Sequence, residues 1–163
     1  MADPLTPKDL ITTLPSLSGE QHLQGLESQV FVHRDDLGIP HARAVTSHDA
    51  FFAQGFFTAQ DRLWQMDWDR RRAYGRSAES LGPDAVEQDI FLRRMGLEAS
   101  AKADYAAVND NARAMLDAYA EGVNAFIASS KHFAVEYQLL GEHPAPWHPW
   151  DGLAIFKVRH LFM

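Results

Sequence analysis

From Asp49 to about Tyr74 the apolar and aromatic residues recur at helical spacing, and this stretch does most to limit the fold. Phe52, Phe56, Leu63 and Trp64 follow one phase, with Ala53 and Phe57 beside them. Ser47 or His48 stands near the expected start, and Gly75 is a fitting terminator. Asp67 precedes Arg71 by four residues, the favourable order for an ion pair on a helix. Gly55 is the weak point, because glycine costs about 1 kcal/mol against alanine in a helix interior. Its presence points to close packing against another backbone. The chain is therefore expected to be mainly α.

The other elements follow from similar signals. Residues 1–25 are rich in Pro, Ser, Thr and Gly and read as an arm, with one short helix around Pro7 to Leu14. Residues 26–163 form the main unit. Val30 to Arg34 has strand composition, Asp35-Asp36-Leu37-Gly38 is turn chemistry, and Pro40 to Val45 returns as a second strand. A short β-hairpin is expected there. Pro83 opens a further helical region, and one helix is expected from about Phe91 to Val108. The clearest periodicity after the first runs from Asn111 to Ser129, capped by Asn109 or Asp110, with Met115, Leu116, Tyr119, Val123, Phe126 and Ile127 as its apolar stripe. A short helix over Phe133 to Leu140 ends at Gly141. After a Pro/Trp loop, a last helix starts at Trp150 or Asp151 and is expected to reach the chain end. No Gly, Asn or Pro stops it, which points to cleavage or to a continuation.

Composition removes several functions. The 163 residues carry a net charge of −7, against a nucleic-acid partner, whose footprint should be basic. There is no cysteine, so disulfides, thiolate metal sites and cysteine nucleophiles are excluded. No apolar run approaches the roughly 20 residues that span a bilayer. The residues after Met1 lack a secretory profile. The profile fits a cytoplasmic protein if Met1 is native, and a periplasmic one if a leader has been removed.

Reactive constellations are missing too. The eight histidines show no i, i+4 pairing with a helical carboxylate, so no metal site is expected. Gly75-Arg76-Ser77-Ala78-Glu79 is not a nucleophile elbow, and no glycine-rich phosphate loop occurs. Asp35 and Asp36 are adjacent and read as turn-capping acids. Asp61, Arg62, Asp67, Arg71, Arg76 and Glu79 form either a partly buried charge network, favoured by Trp64, Trp68 and Tyr74, or a solvated face. Their roles are structural in both cases. An N-terminal nucleophile requires Ser, Thr or Cys at the first position, and this chain begins with Met.

Several motifs stand in a fixed order. Arg34-Asp35-x-x-Gly38-Ile39-Pro40-His41 precedes Asp49-Ala50-Phe51-Phe52-Ala53-Gln54-Gly55-Phe56 and Ala59-Gln60-Asp61-Arg62-Leu63-Trp64-Gln65-Met66. Then come Arg71-Arg72-x-x-Gly75-Arg76-x-Ala78-Glu79-x-Leu81-Gly82, Tyr119-Ala120-Glu121-Gly122-Val123-Asn124-Ala125 and Trp147-x-Pro149-x-Asp151. Each alone is weak. Together, over about Val30 to Phe156, they resemble the α-chain of the penicillin acylase family of N-terminal-nucleophile amide hydrolases.

The resemblance implies an αββα four-layer hydrolase, completed by a β-chain cut from the same precursor. The β-chain would supply an N-terminal serine nucleophile, its α-amine as base, and the oxyanion hole. The α-chain would wrap it and give the acyl-side wall of the pocket from its last helix. That implies no catalytic residue and no metal ligand here, and a wall of Phe156, His160 and Met163, in phase with Leu153. Counted from Trp147-x-Pro149-x-Asp151, His160 falls where the best-known members carry a pocket methionine. The partnering phenylalanine falls just beyond Met163. With Lys157 and Arg159 nearby, the helix end is basic, which suggests a polar or anionic acyl group. A packing histidine satisfied by a carbonyl is the plainer alternative. The implied substrates are N-acyl amides: β-lactam side chains, N-acyl homoserine lactones or N-acyl amino acids. No cofactor is needed for the chemistry, and a structural calcium at the chain interface would find its ligands outside this chain. No nucleic acid or membrane is involved. A subunit of this kind should expose aromatic surface such as Phe56, Phe57 and Trp64. The rival reading is a stand-alone helical ligand-binding or regulatory module.

Overall fold

The computed structural model describes residues 6, 10, 11, 13, 14 and 17–163. It is mainly helical, with one two-stranded antiparallel sheet among these residues. Strands β1 (Phe31–Arg34) and β2 (Pro40–Arg43) pair with Phe31 opposite Arg43 and Arg34 opposite Pro40. Helices follow as α1 (Ser47–Tyr74), α2 (Ala78–Leu81), α3 (Val86–Met95), α4 (Leu97–Ala107), α5 (Asp110–Ser129), α6 (Val135–Leu140) and α7 (Asp151–Leu161). A 3-10 turn, Pro83–Ala85, precedes α3. No helix among the described residues is long and apolar enough to cross a membrane.

α1 is the spine. Its first half packs on α5 around Phe56, Ala59, Leu63, Ala120, Val123 and Phe126. The approach is set by two glycines. A Cβ on Gly55 would lie 2.1 Å from the Tyr119 carbonyl oxygen, and one on Gly122 would lie 1.9 Å from that of Phe52. Gly55 thus has the close-packing role expected of it, and Gly122 is its counterpart. The second half of α1 packs on α3, α4 and α7 through Ala73, Leu92, Leu97, Ala101, Ala154 and Val158.

Several expected boundaries move. The N-cap of α1 is Thr46, whose hydroxyl accepts from the Asp49 amide, rather than Ser47 or His48. β2 ends at Arg43, and Val45 lies outside it, 81% exposed. The single helix expected over 91–108 is two, because Gly96 takes a left-handed conformation (φ 64°) that closes α3 and starts α4. α6 begins at Val135, not Phe133. α7 stops at Leu161 instead of reaching the last residue, so Met163 is off the helical face assigned to it. The short helix expected over Pro7 to Leu14 falls largely outside the described residues. Phe56, expected to be exposed, is 3% exposed, and Phe57 and Trp64 are half-buried against the same core. The apolar surface lies elsewhere, on the hairpin and on the outside of α7.

Candidate functional site

Two of the sequence motifs meet at Arg34. Its guanidinium makes paired bonds to Asp61 at 2.9 and 2.8 Å, donates to the Gln60 amide oxygen at 2.6 Å, and donates to the Gly38 carbonyl at 2.7 Å. One side chain therefore closes the hairpin turn and docks it on α1. Asp35 shapes the same turn, accepting from the amides of Leu37 and Ile39 and facing the His41 ring at 2.9 Å. The His41 contact, with the Ile39 and Leu37 amides, holds the Asp35 carboxyl below the usual range. Asp35 is thus the turn-capping acid expected.

The expected charge network divides in four. Asp61 belongs to the Arg34 clamp. Arg76 and Glu79 form an exposed pair at 2.8 Å. Arg62 has no ion pair among the described residues. Only Asp67 and Arg71 belong to a buried cluster, and its centre is Arg70. Arg70 donates to Asp67, to Asp151 at 2.9 Å, and to the carbonyls of Pro146 at 2.8 Å and Ala145 at 3.3 Å. All its N–H donors are used, and its guanidinium lies 5.0 Å from the Trp147 ring centroid. Tyr74 and His148 complete the shell of Asp151, through a hydroxyl and a backbone amide. Tyr137 and Arg71 complete that of Asp67. Burial alone would lower the Arg70 pKa, but Asp67 and Asp151 outweigh it and raise it. Burial, reinforced by the aspartates, raises both tyrosines, so they stay protonated donors.

This cluster aims α7. Asp151 is its first residue, fully buried, and Ala154 and Val158 continue the inward face. At the other end Arg159 pairs with Asp69, and Lys157 pairs with Asp104 at 2.6 Å. Trp147 is pinned to α5 by two bonds with the Asn124 amide, each 2.8 Å. Sequence reasoning missed Arg70, Asp69 and Tyr137, and placed Tyr74 beside the network without its bond to Asp151. The available signal was the Asp67, Arg70, Arg71, Tyr74 spacing, which puts charge on the inward stripe of α1.

The outer face of α7 carries Phe156, 61% exposed, and His160, with ring centroids 4.0 Å apart. His160 Nδ1 lies 2.9 Å from the Phe156 carbonyl oxygen. As a donor to that carbonyl, it leaves Nε2 free to face outward. Leu153 instead turns partly into the core, and Met163 is 95% exposed beyond the helix. The basic helix end is neutralised, since Lys157 and Arg159 both have carboxylate partners.

The described residues hold no arrangement for bond breaking. Ser77 is fully buried, with its backbone amide on Asp89. The group with metal-ligand spacing is Glu27, His48 and Asp49. It does not suit an ion: both Asp49 oxygens already accept backbone amides, from Glu27 and Ser28 at 2.9 Å, and anchor that loop.

Comparisons with known proteins place the chain in a family. The family model described as penicillin amidase matches residues 29–162. Penicillin acylase 2 proenzyme from Pseudomonas sp. (strain SE83) is 47% identical over 154 residues, which are 94% of this chain and 20% of that protein. Acyl-homoserine lactone acylase QuiP from Pseudomonas aeruginosa is 37% identical over 150 residues, 91% of this chain and 18% of that protein. The structure of thermostable penicillin G acylase from Alcaligenes faecalis superposes with a TM-score of 0.71 at 31% identity, covering 79% of this chain and 70% of that one. The chain spans about a fifth of the length of the curated relatives it matches.

Proposed function

The chain belongs to the penicillin amidase family, and we propose that it is the α-subunit of an acylase that hydrolyses the amide bond of N-acyl compounds. In this reading residues 26–163 wrap a larger β-chain from the same precursor, and residues 1–25 are an arm. The β-chain's first residue, a serine, attacks the amide carbonyl with its own α-amine as base. The amine leaves, and water releases the acyl group. This chain shapes the pocket. The chemistry asks for no cofactor, and any structural calcium would be bound outside this chain.

The observation that carries the reading is the division of α7. Its inner face is fixed by buried ion pairs, while its outer face presents Phe156 and His160 to whatever lies against it. Preorganised walls of this kind set substrate choice through differential binding. Phe156 offers apolar contact. The outward Nε2 of a neutral His160 accepts a hydrogen bond, and of a protonated one donates it. An acyl group with a polar or anionic end suits this better than phenylacetyl; with Lys157 and Arg159 already paired, the hydrogen bond rather than the local charge supports it. Met163 would close the wall once a partner covers it. The substrate classes are β-lactam side chains, N-acyl homoserine lactones and N-acyl amino acids.

The first test is the mass spectrum of protein matured from its full coding region. A second, larger chain beginning with Ser is expected, and its absence overturns the reading. The second compares kcat/KM for succinyl, glutaryl, phenylacetyl and long-chain acyl amides in wild type and His160→Met. A hydrogen bond to a charged group contributes about 1.5–3 kcal/mol, roughly 10- to 150-fold in specificity. If His160→Met leaves the ranking unchanged, or wild type favours phenylacetyl, His160 is a packing residue.

A further inference from the structure

The last turn of α7 is held differently from the rest of the helix. Val158 is the last buried residue, and residues 159–163 are all exposed. The closing carbonyls of a helix have no partner within it, so such a turn frays unless something outside fastens it. His160 does not fasten it, since its ring bonds to the Phe156 carbonyl of its own helix. Lys157 ties α7 to Asp104 on α4, but from a point before the last turn.

Asp69 is the outside fastening. It lies on α1 with its side chain only 10% exposed, and each of its oxygens takes one arginine. Oδ2 accepts from Arg159, on the last turn of α7. Oδ1 accepts from Arg72, three residues on along α1, at 3.5 Å. The Arg72 guanidinium in turn stands 5.5 Å from the ring centroid of Phe162, the residue that closes α7. Among the described residues, these are the ion-pair and ring contacts that join residues 159–163 to another element. Both depend on one carboxylate. Turning it away from Arg159 would leave a desolvated charge short of a partner, so its orientation is fixed.

We propose that Asp69 is a specificity-determining positioning residue: through Arg159 and Arg72 it holds the last turn of α7, and with it the His160 ring, where an acyl group meets it. Asp69 itself touches no substrate. Arg159 and His160 are consecutive, so a shift of that turn moves both. Phe156 comes before Val158, within the part of the helix that has buried anchors. Loss of Asp69 therefore displaces the polar element of the wall and leaves the apolar one in place. Preference for polar over phenylacetyl acyl groups falls, while bond breaking, whose groups lie outside this chain, goes on as before. The proposal rests on the reading above, in which the outer face of α7 is the acyl wall.

The test uses the two-chain protein matured from its full coding region. Hydrogen exchange read by mass spectrometry reports the fastening. Asp69→Asn and Arg159→Gln should each speed exchange of the amides of residues 159–162 by about fivefold or more, and leave residues 151–158 unchanged. The ratio of kcat/KM for glutaryl over phenylacetyl amides reports the consequence. In Asp69→Asn it should fall by about fivefold or more, with kcat/KM for phenylacetyl amides nearly unchanged, and Asp69→Glu should largely restore it. The double variant Asp69→Asn/His160→Met should show a ratio no lower than His160→Met alone, because both changes act on one contact. Exchange that stays at the wild-type rate overturns the proposal. So does a ratio that responds to His160→Met but not to Asp69→Asn; the acyl wall then stands and only the role of Asp69 falls. A ratio indifferent to His160→Met removes the wall and the proposal with it. A wild-type preparation with no second chain removes the acylase reading itself.

Discussion

The two halves of α1 are held in opposite ways. In the first half Gly55 and Gly122 let two helix backbones touch, and the packing around them is apolar. In the second half Asp67 and Arg70 carry charge into the interior and meet Asp151 at the start of α7. Each seam specifies a different property. An apolar contact between small residues fixes a distance and tolerates sliding. A buried guanidinium with every donor assigned fixes a direction, because any rotation of α7 strands a charge in a low-dielectric setting. The ionic seam is therefore the one that aims the helix bearing Phe156 and His160.

Loss of the ionic half should do the most damage. Arg70→Ala leaves Asp67 and Asp151 buried without their common partner and should cost about 3–5 kcal/mol. The urea midpoint of the purified protein measures this, and a loss under about 1 kcal/mol would show that water replaces the guanidinium. Arg70→Met sharpens the point, since it fills the volume but restores no direction. Next comes the glycine seam. Gly122→Ala forces a methyl group into the Phe52 carbonyl and should cost about 3 kcal/mol, the upper end of the overpacking range. A normal unfolding midpoint for this variant would mean that the helices separate freely.

A smaller effect concerns His48, which joins the start of α1 to Glu121 on α5. Burial lowers its pKa, but bonds to Asp49 at 3.3 Å and Glu121 at 3.2 Å outweigh this, with Glu27 adding to them, and the pKa is raised. A raised folded-state value means the stabilisation is complete below the unfolded value near 6.5 and fades as pH rises through the folded one. The contribution should be under about 1 kcal/mol, given partial exposure. Tm measured against pH should fall across this window in wild type and stay flatter in His48→Gln; parallel curves would remove His48 from the account. The smallest effect is Arg76→Ala. Its pair with Glu79 is exposed, so the change should stay within about 0.5 kcal/mol. A large loss there would erase the contrast between exposed and buried pairs.

Much of the architecture was legible where local chemistry decides it. Gly75 ends α1, Asn109 caps α5 and Gly141 ends α6, each for reasons internal to a few residues. The division at Gly96 was not legible, because apolar spacing continues across it and only the backbone conformation breaks. The site was harder. Asp69, Arg70 and Asp151 are the residue types normally left in water, and a run of three arginines does not say which one points inward. That choice depends on where α7 lies, a tertiary fact. The Arg34–Asp61 clamp was hidden for the same reason. Its two motifs were both visible, but their meeting depends on how the hairpin folds onto α1.

The division of α7 also bears on how such a protein changes over time. Asp151, Ala154 and Val158 face inward, and Phe156 and His160 face out. Mutational load on one set is therefore largely uncoupled from the other. A library randomised at positions 156 and 160 should keep nearly all its members folded, while one randomised at 151, 154 and 158 should lose most. Selection can then vary the outer positions by drift alone, with the anchoring residues held by purifying pressure for the sake of packing.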